Sequence, residues 1–156
     1  MKAFIFKPEN CDLCRKCEEA CVAVCGPANK QSAEYVPHIR VFQSPEGPYI
    51  RLCRHCEEPP CVDACIGESL QIGPDGLVIQ DEKRCIGCFM CNMVCPHGAM
   101  KTIMSQEKAF KCTLMCGTKT TPTCVLACDR GALFFEEVSQ HNKKIRRAKL
   151  KELPRK

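Results

Sequence analysis

Sixteen cysteines fall into four blocks of four, and their spacing restricts the fold more than any apolar pattern in the chain. The first block is Cys11-x2-Cys14-x2-Cys17-x3-Cys21, and the third is Cys85-x2-Cys88-x2-Cys91-x3-Cys95-Pro96. The second, Cys53-x2-Cys56-x4-Cys61-x3-Cys65, follows the same plan, with Glu57-Glu58-Pro59-Pro60 before its third cysteine. The fourth is looser: Cys112-x3-Cys116-x7-Cys124-x3-Cys128. Three thiolates on a tight loop can reach three corners of one iron–sulfur cube, while a cysteine about one helical turn later points away and completes a neighbouring cube. The spacing therefore predicts sixteen iron ligands and four 4Fe–4S clusters. Zinc also takes Cys-x2-Cys pairs, but its motifs usually consist of two pairs separated by a long spacer.

A cluster-based interior also suits the composition. The 45% hydrophobic content includes 17 cysteines; only 34 of the 156 residues are Val, Ile, Leu or Phe, and there is no Trp. Chains so short of apolar residues recruit disulfides or metals to hold together. The opening Met1-Lys2-Ala3-Phe4-Ile5-Phe6-Lys7-Pro8 has no long apolar segment of the secretory type, which predicts a reducing cytoplasm and metal ligands rather than disulfides. No apolar run approaches the ~20 residues of a membrane span. Cys25 is the seventeenth cysteine, outside the sixteen-ligand scheme. It is expected as a buried free thiol near a cluster, the alternatives being a substitute ligand or an intermolecular site.

The chain repeats itself. After the last cysteine of three blocks come Cys65-Ile66-Gly67-Glu68-Ser69-Leu70, Cys95-Pro96-His97-Gly98-Ala99-Met100 and Cys128-Asp129-Arg130-Gly131-Ala132-Leu133, a small residue and then an apolar one in register. Each block is expected to end in a helical turn leading to a short strand. Leu70-Gln71-Ile72 and Leu77-Val78-Ile79 flank the turn signal Gly73-Pro74-Asp75-Gly76 and predict a hairpin. A second hairpin is expected from Lys101-Thr102-Ile103 to Ala109-Phe110-Lys111, with further strands at Phe4-Ile5-Phe6, Ile39-Arg40-Val41-Phe42 and Leu133-Phe134-Phe135. The expected fold is α+β and ferredoxin-like, two pseudo-symmetric two-cluster units with short strands and helices. Residues 1–138 would form this cluster-bearing domain, with 26–49 as an insertion, and 139–156 a basic C-terminal tail.

From Lys143 to Lys156 the tail has eight Lys or Arg and one acid, Glu152. It reads as a solvated face or as a dock for an acidic partner, with Ile145, Ala148, Leu150 and Leu153 permitting a short helix. Nothing aromatic is interleaved with the charges, so nucleic acid is not an expected partner. The formal net charge of +5 counts thiols as neutral; four clusters of about −2 each bring the loaded protein to about −3.

These residues resemble the four-cluster iron–sulfur subunits of the polyferredoxin type, which accompany dimethyl sulfoxide reductase, formate dehydrogenase, hydrogenases, aldehyde ferredoxin oxidoreductases and CO dehydrogenase. The resemblance covers roughly residues 1–138. It is carried by Cys11–Cys21, by Cys53-Arg54-His55-Cys56-Glu57-Glu58-Pro59-Pro60-Cys61-Val62-Asp63-Ala64-Cys65, by Cys85–Pro96, and by Cys124-Val125-Leu126-Ala127-Cys128 leading to Gly131-Ala132-Leu133. It implies that the first block pairs with the fourth and the second with the third. One cluster would then take Cys11, Cys14, Cys17 and Cys128, and its neighbour Cys112, Cys116, Cys124 and Cys21. A third would take Cys53, Cys56, Cys61 and Cys95, and the fourth Cys85, Cys88, Cys91 and Cys65. The sequence departs from the family where Ile66 and Asp129 replace the usual Pro and where the fourth block is respaced.

The implied function is electron transfer between an oxidoreductase of the CO dehydrogenase, hydrogenase, formate dehydrogenase or aldehyde oxidoreductase type and an acceptor, in an anaerobic cytoplasm. No catalytic residues are expected: an iron that already holds a thiolate offers no open position, and no Ser/His/Asp set or Gly-rich phosphate loop occurs. His55 and His97, in or beside ligand loops, are expected at the surface, with tuning of a nearby cluster as the alternative. A redox sensor or maturation factor with structural clusters is the competing class. End-to-end association of chains is left open.

Overall fold

The computed structural model describes residues 2–25, 36–114, 116 and 121–152. Residues 26–35 of the expected insertion, and Leu153 to Lys156 of the tail, lie outside the described residues. The elements are short throughout. In order they are β1 (Lys2–Phe6), α1 (Lys16–Cys25), β2 (Arg40–Ser44), β3 (Gly47–Arg51), α2 (Pro60–Asp63), β4 (Leu70–Ile72), β5 (Val78–Gln80), α3 (Met90–Val94), β6 (Lys101–Ile103), β7 (Lys108–Phe110), α4 (Thr123–Leu126), β8 (Leu133–Glu137) and α5 (Val138–Glu152).

The strands form four separate antiparallel pairs: β1 with β8, β2 with β3, β4 with β5 and β6 with β7. Aromatic and β-branched residues favour such half-buried pleats. In the first pair Phe4 lies opposite Phe135, with ring centroids 5.1 Å apart. This pair joins the two ends of the chain and sets the first cysteine block beside the fourth. Lys7 N–H donates to the Ala132 carbonyl at 2.8 Å, Asn10 Nδ2 donates to the Gly131 carbonyl at 3.1 Å, and Arg130 pairs with Asp12 at 2.9 Å. Helix α1 packs on α4, and α2 on α3.

The β4–β5 hairpin forms where the turn residues place it, its second strand starting at Val78. Gly76 has φ +74°, a conformation that costs other residues about 1–2 kcal/mol. In helix α2, Pro60 stands at the first helical position, where a missing N–H costs nothing and φ is already helical. That accounts for the two residues added to the second block: Pro59-Pro60 reopen a helix before the third cysteine.

The described part of the 26–49 segment is bound firmly to the body. The buried Glu18 carboxylate on α1 accepts from Val41 N–H on β2 at 2.6 Å, with Arg40 Nε at 3.8 Å. Ile39, Leu52 and Val78 are fully buried. Helix α5 runs for fifteen residues, longer than the thin apolar stripe predicts. It is held at its start by Glu136, which takes His141 at 2.7 Å and also Lys144. Among the described residues no helix is long and apolar enough to cross a membrane.

Candidate iron–sulfur centre

The four loops share one backbone plan. The residue two after the first cysteine of each block has positive φ: Leu13 at 61°, His55 at 47°, Gly87 at 70° and Leu114 at 61°. Only one of these is glycine. Held left-handed conformations of other residues cost of order 1–3 kcal/mol each and collect where a site requires them. The third cysteines, Cys17, Cys61, Cys91 and Cys124, then occupy the second position of α1, α2, α3 and α4 respectively.

The last cysteines of the second, third and fourth blocks share a second motif. The carbonyls of Cys65, Cys95 and Cys128 accept from the N–H groups of Glu68, Gly98 and Gly131 at 2.9, 3.2 and 3.1 Å, and those three residues again have positive φ. The reversed backbone brings the next N–H onto the thiol. Ser69 donates to Cys65 Sγ at 3.2 Å, Ala99 to Cys95 Sγ at 3.4 Å and Ala132 to Cys128 Sγ at 3.3 Å. The first block differs, because α1 continues to Cys25; Cys21 Sγ accepts instead from His38 N–H at 3.3 Å. N–H donors on the sulfurs are one of the levers that set cluster potential.

Two of the four expected cysteine sets each line a cavity. Cys11, Cys14, Cys17 and Cys128 line one cavity, with Ile39, Val41 and Ile50 from the β2–β3 region on its wall. Cys65, Cys85, Cys88 and Cys91 line another. Cys53 lies within electrostatic reach of Cys56 and Cys95, and Cys61 within reach of Cys53 and Cys95. Cys112, Cys116 and Cys21 surround Cys124. All 17 cysteines carry free thiols.

Neighbouring groups act on one another electrostatically. Cys17 of the first expected set lies within electrostatic reach of Cys124 of the second, and Cys112 of the second within reach of Cys53 of the third. Cys61, Cys65 and Cys95 pack against the buried cluster that holds Cys91.

The protonation chemistry suits metal-bound thiolates. Burial pushes the Cys17 and Cys112 thiols up to about 12 and those of Cys61 and Cys91 up to about 11, and it raises Cys53 and Cys124 as well. Thiolates at such depth need positive charge beside them, and iron supplies it; soft thiolate sets select iron–sulfur clusters or zinc. Cys25 is half-buried beside two of these thiols. Its hydrogen bonds to Cys21 and Cys116 lower both, while those same bonds, Cys116 first, and then burial raise its own thiol.

Two polar residues sit where the sequence predicts none. His55, expected at the surface, is buried, because its left-handed backbone turns it inward from the loop; burial pushes its imidazole down to about 4. His97 is exposed, as expected. Lys111 is fully buried. It carries no sequence signal, since a lysine closing a short strand reads as a surface residue.

Gly87 has a steric reason to be glycine. A Cβ there would stand 2.1 Å from the Glu107 carbonyl oxygen. Gly87→Ala is expected to cost about 1–3 kcal/mol through overpacking, and to lower the iron content by loss from the Cys65, Cys85, Cys88 and Cys91 group. Gly76→Ala, with nothing within 4 Å, carries only backbone strain and should keep its iron. Thermal melting with iron analysis checks both.

Short hairpins and short helices around the cysteine-bearing loops make a small scaffold of mixed α/β structure. Residues 49–138 match the family model described as the 4Fe-4S dicluster domain, and the chain belongs to that ferredoxin-type family. The family's cofactor is the 4Fe–4S cluster, and the cysteine supply matches four of them. The chain is similar to YsaA of Escherichia coli (strain K12), 34% identical over 151 residues with 92% of each chain covered. It is similar to the electron transport protein HydN of the same organism, 30% identical over 150 residues, covering 79% of this chain and 81% of HydN. It also resembles a sulfite dehydrogenase subunit of Allochromatium vinosum, 38% identical over 103 residues, covering 60% of this chain and 43% of that relative.

Proposed function

We propose that this protein is an electron carrier whose four 4Fe–4S clusters relay single electrons between a catalytic oxidoreductase subunit and an acceptor. The clusters supply reversible one-electron redox chemistry, and the chain holds and spaces them. Cys11, Cys14, Cys17 and Cys128 would hold one; Cys112, Cys116, Cys124 and Cys21 the next; Cys53, Cys56, Cys61 and Cys95 the third; and Cys85, Cys88, Cys91 and Cys65 the last. Residues 1–138 act in this reading as two pseudo-symmetric two-cluster units, followed by the basic tail 139–156.

What supports this reading is a succession of neighbouring thiols that we take as a row: Cys17 within electrostatic reach of Cys124, Cys112 within reach of Cys53, and Cys61, Cys65 and Cys95 packed against the buried cluster that holds Cys91. A structural role for the clusters requires no contiguous row, whereas a relay does. With every thiol group of four assigned to one cluster, no iron is left open for substrate, so the protein itself catalyses nothing. HydN is named an electron transport protein, and the Allochromatium relative is named as part of a dehydrogenase; both support an oxidoreductase as the protein partner. The proposed setting is a reducing, anaerobic cytoplasm, where thiols stay free for iron.

Anaerobic purification from the native cell tests the proposal. The expected product contains about sixteen iron per chain, all reversibly reducible, together with an oxidoreductase subunit to which it passes electrons. About four zinc and no iron would overturn the cofactor assignment. Full iron with no electron exchange would overturn the carrier role.

A further inference from the structure

Lys111 is the one buried cation among the described residues. It follows β7 and immediately precedes Cys112. Its Nζ donates to the Cys112 carbonyl at 3.0 Å and to the Val78 carbonyl on β5. No carboxylate is among these contacts. Burial lowers its pKa, and the thiolates of Cys53, Cys112 and Cys61, which come from the two middle groups of the proposed row, oppose that shift. The other titratable groups facing it are His55 and His38, whose imidazoles burial, and then the lysine's charge, push down to about 4.

We infer that Lys111 is a positioning residue that sets the redox balance of the row, its ammonium raising the reduction potentials of the two middle clusters above those they would otherwise have. The inference rests on the ligand sets of the proposed carrier. A buried charge without a counter-charge is strongly unfavourable, and here the counter-charge comes from cluster-bound thiolates. The pairing acts in both directions. Each electron added makes a cluster more negative, and a fixed cation close by favours that addition; net charge is one of the terms that sets cluster potential. Coulomb interaction falls with distance, so the two terminal clusters feel it least.

Lys111→Met keeps the volume and removes the charge, and Lys111→Gln keeps a donor for the carbonyls without the charge. Iron is counted first: wild type at about sixteen iron per chain satisfies the ligand reading, and a wild type without four clusters defeats that reading and this inference with it. Potentiometric titration followed by paramagnetic resonance then reads the four clusters. In the fully loaded variants, two of the four are expected to be about tenfold harder to reduce, a shift of about 59 mV for one electron, with the other two unchanged. The same shift in Met and Gln assigns the effect to charge. Unchanged potentials, an equal shift of all four, or restoration by Gln would overturn the inference. Loss of clusters from both variants would also overturn it, in favour of a purely structural lysine.

Discussion

Removal of iron is expected to unfold the protein outright. Among the described residues, six of the seventeen buried apolar ones are cysteines, namely Cys21, Cys53, Cys91, Cys112, Cys116 and Cys124. Without metal, these thiols line cavities rather than a packed core, and the remaining interior consists mainly of Phe4, Ile39, Val41, Leu52, Leu70, Val78, Met100 and Leu133. A domain of this size folds with a margin of only about 5–15 kcal/mol, and binding energy at a structural metal site is folding energy. Chelation under mild oxidation should therefore abolish the cooperative thermal transition and most of the circular dichroism. Both should return on reconstitution with iron and sulfide under reducing conditions. A stripped protein that still melts cooperatively would show that the hairpins stand without the clusters.

The second large effect is expected from breaking the row at its centre. Cys112→Ala removes a thiol within electrostatic reach of Cys116 and Cys21 of its own proposed set and of Cys53 of the next. Iron should fall by about four of about sixteen per chain. Electron passage from one end to the other should stop, because tunnelling decays steeply with distance and the gap lies between two halves that are each still reducible. Cys14→Ala provides the contrast. Cys14 is an exposed member of the first group, so its loss should abolish exchange at one end while the other three clusters still equilibrate. Stopped-flow reduction with a donor for one end and an acceptor for the other separates the two cases. Equal through-transfer in wild type and Cys112→Ala would exclude a serial relay.

The cysteine spacing made the four cysteine-bearing loops legible in the sequence, and turn chemistry did the same for the hairpins. Gly73-Pro74-Asp75-Gly76 could only be a turn, and the β4–β5 hairpin formed around it. The pairing of β1 with β8 was not legible: Phe4 and Phe135 are too far apart in sequence for any local rule to join them. The loop conformation was hidden for another reason. Gly87 reveals a left-handed position, whereas Leu13, His55 and Leu114 adopt the same conformation under tertiary constraint, against their own preference. Burial of Lys111 and His55 was hidden likewise, because nothing in residue type distinguishes a charge held between metal sites from one in solvent.

The pairing of the chain's two ends by β1 and β8 also fixes a timetable. The cysteines of the second and third blocks span Cys53 to Cys95, so both of their proposed ligand sets are complete once Cys95 has been synthesised. The other two sets combine Cys11 to Cys21 with Cys112 to Cys128, and β1 waits for β8, which ends at Glu137. On a growing chain the N-terminal thiols are therefore the first to be made and among the last to gain their partners, so for most of synthesis they must stay reduced and unclaimed by other metals.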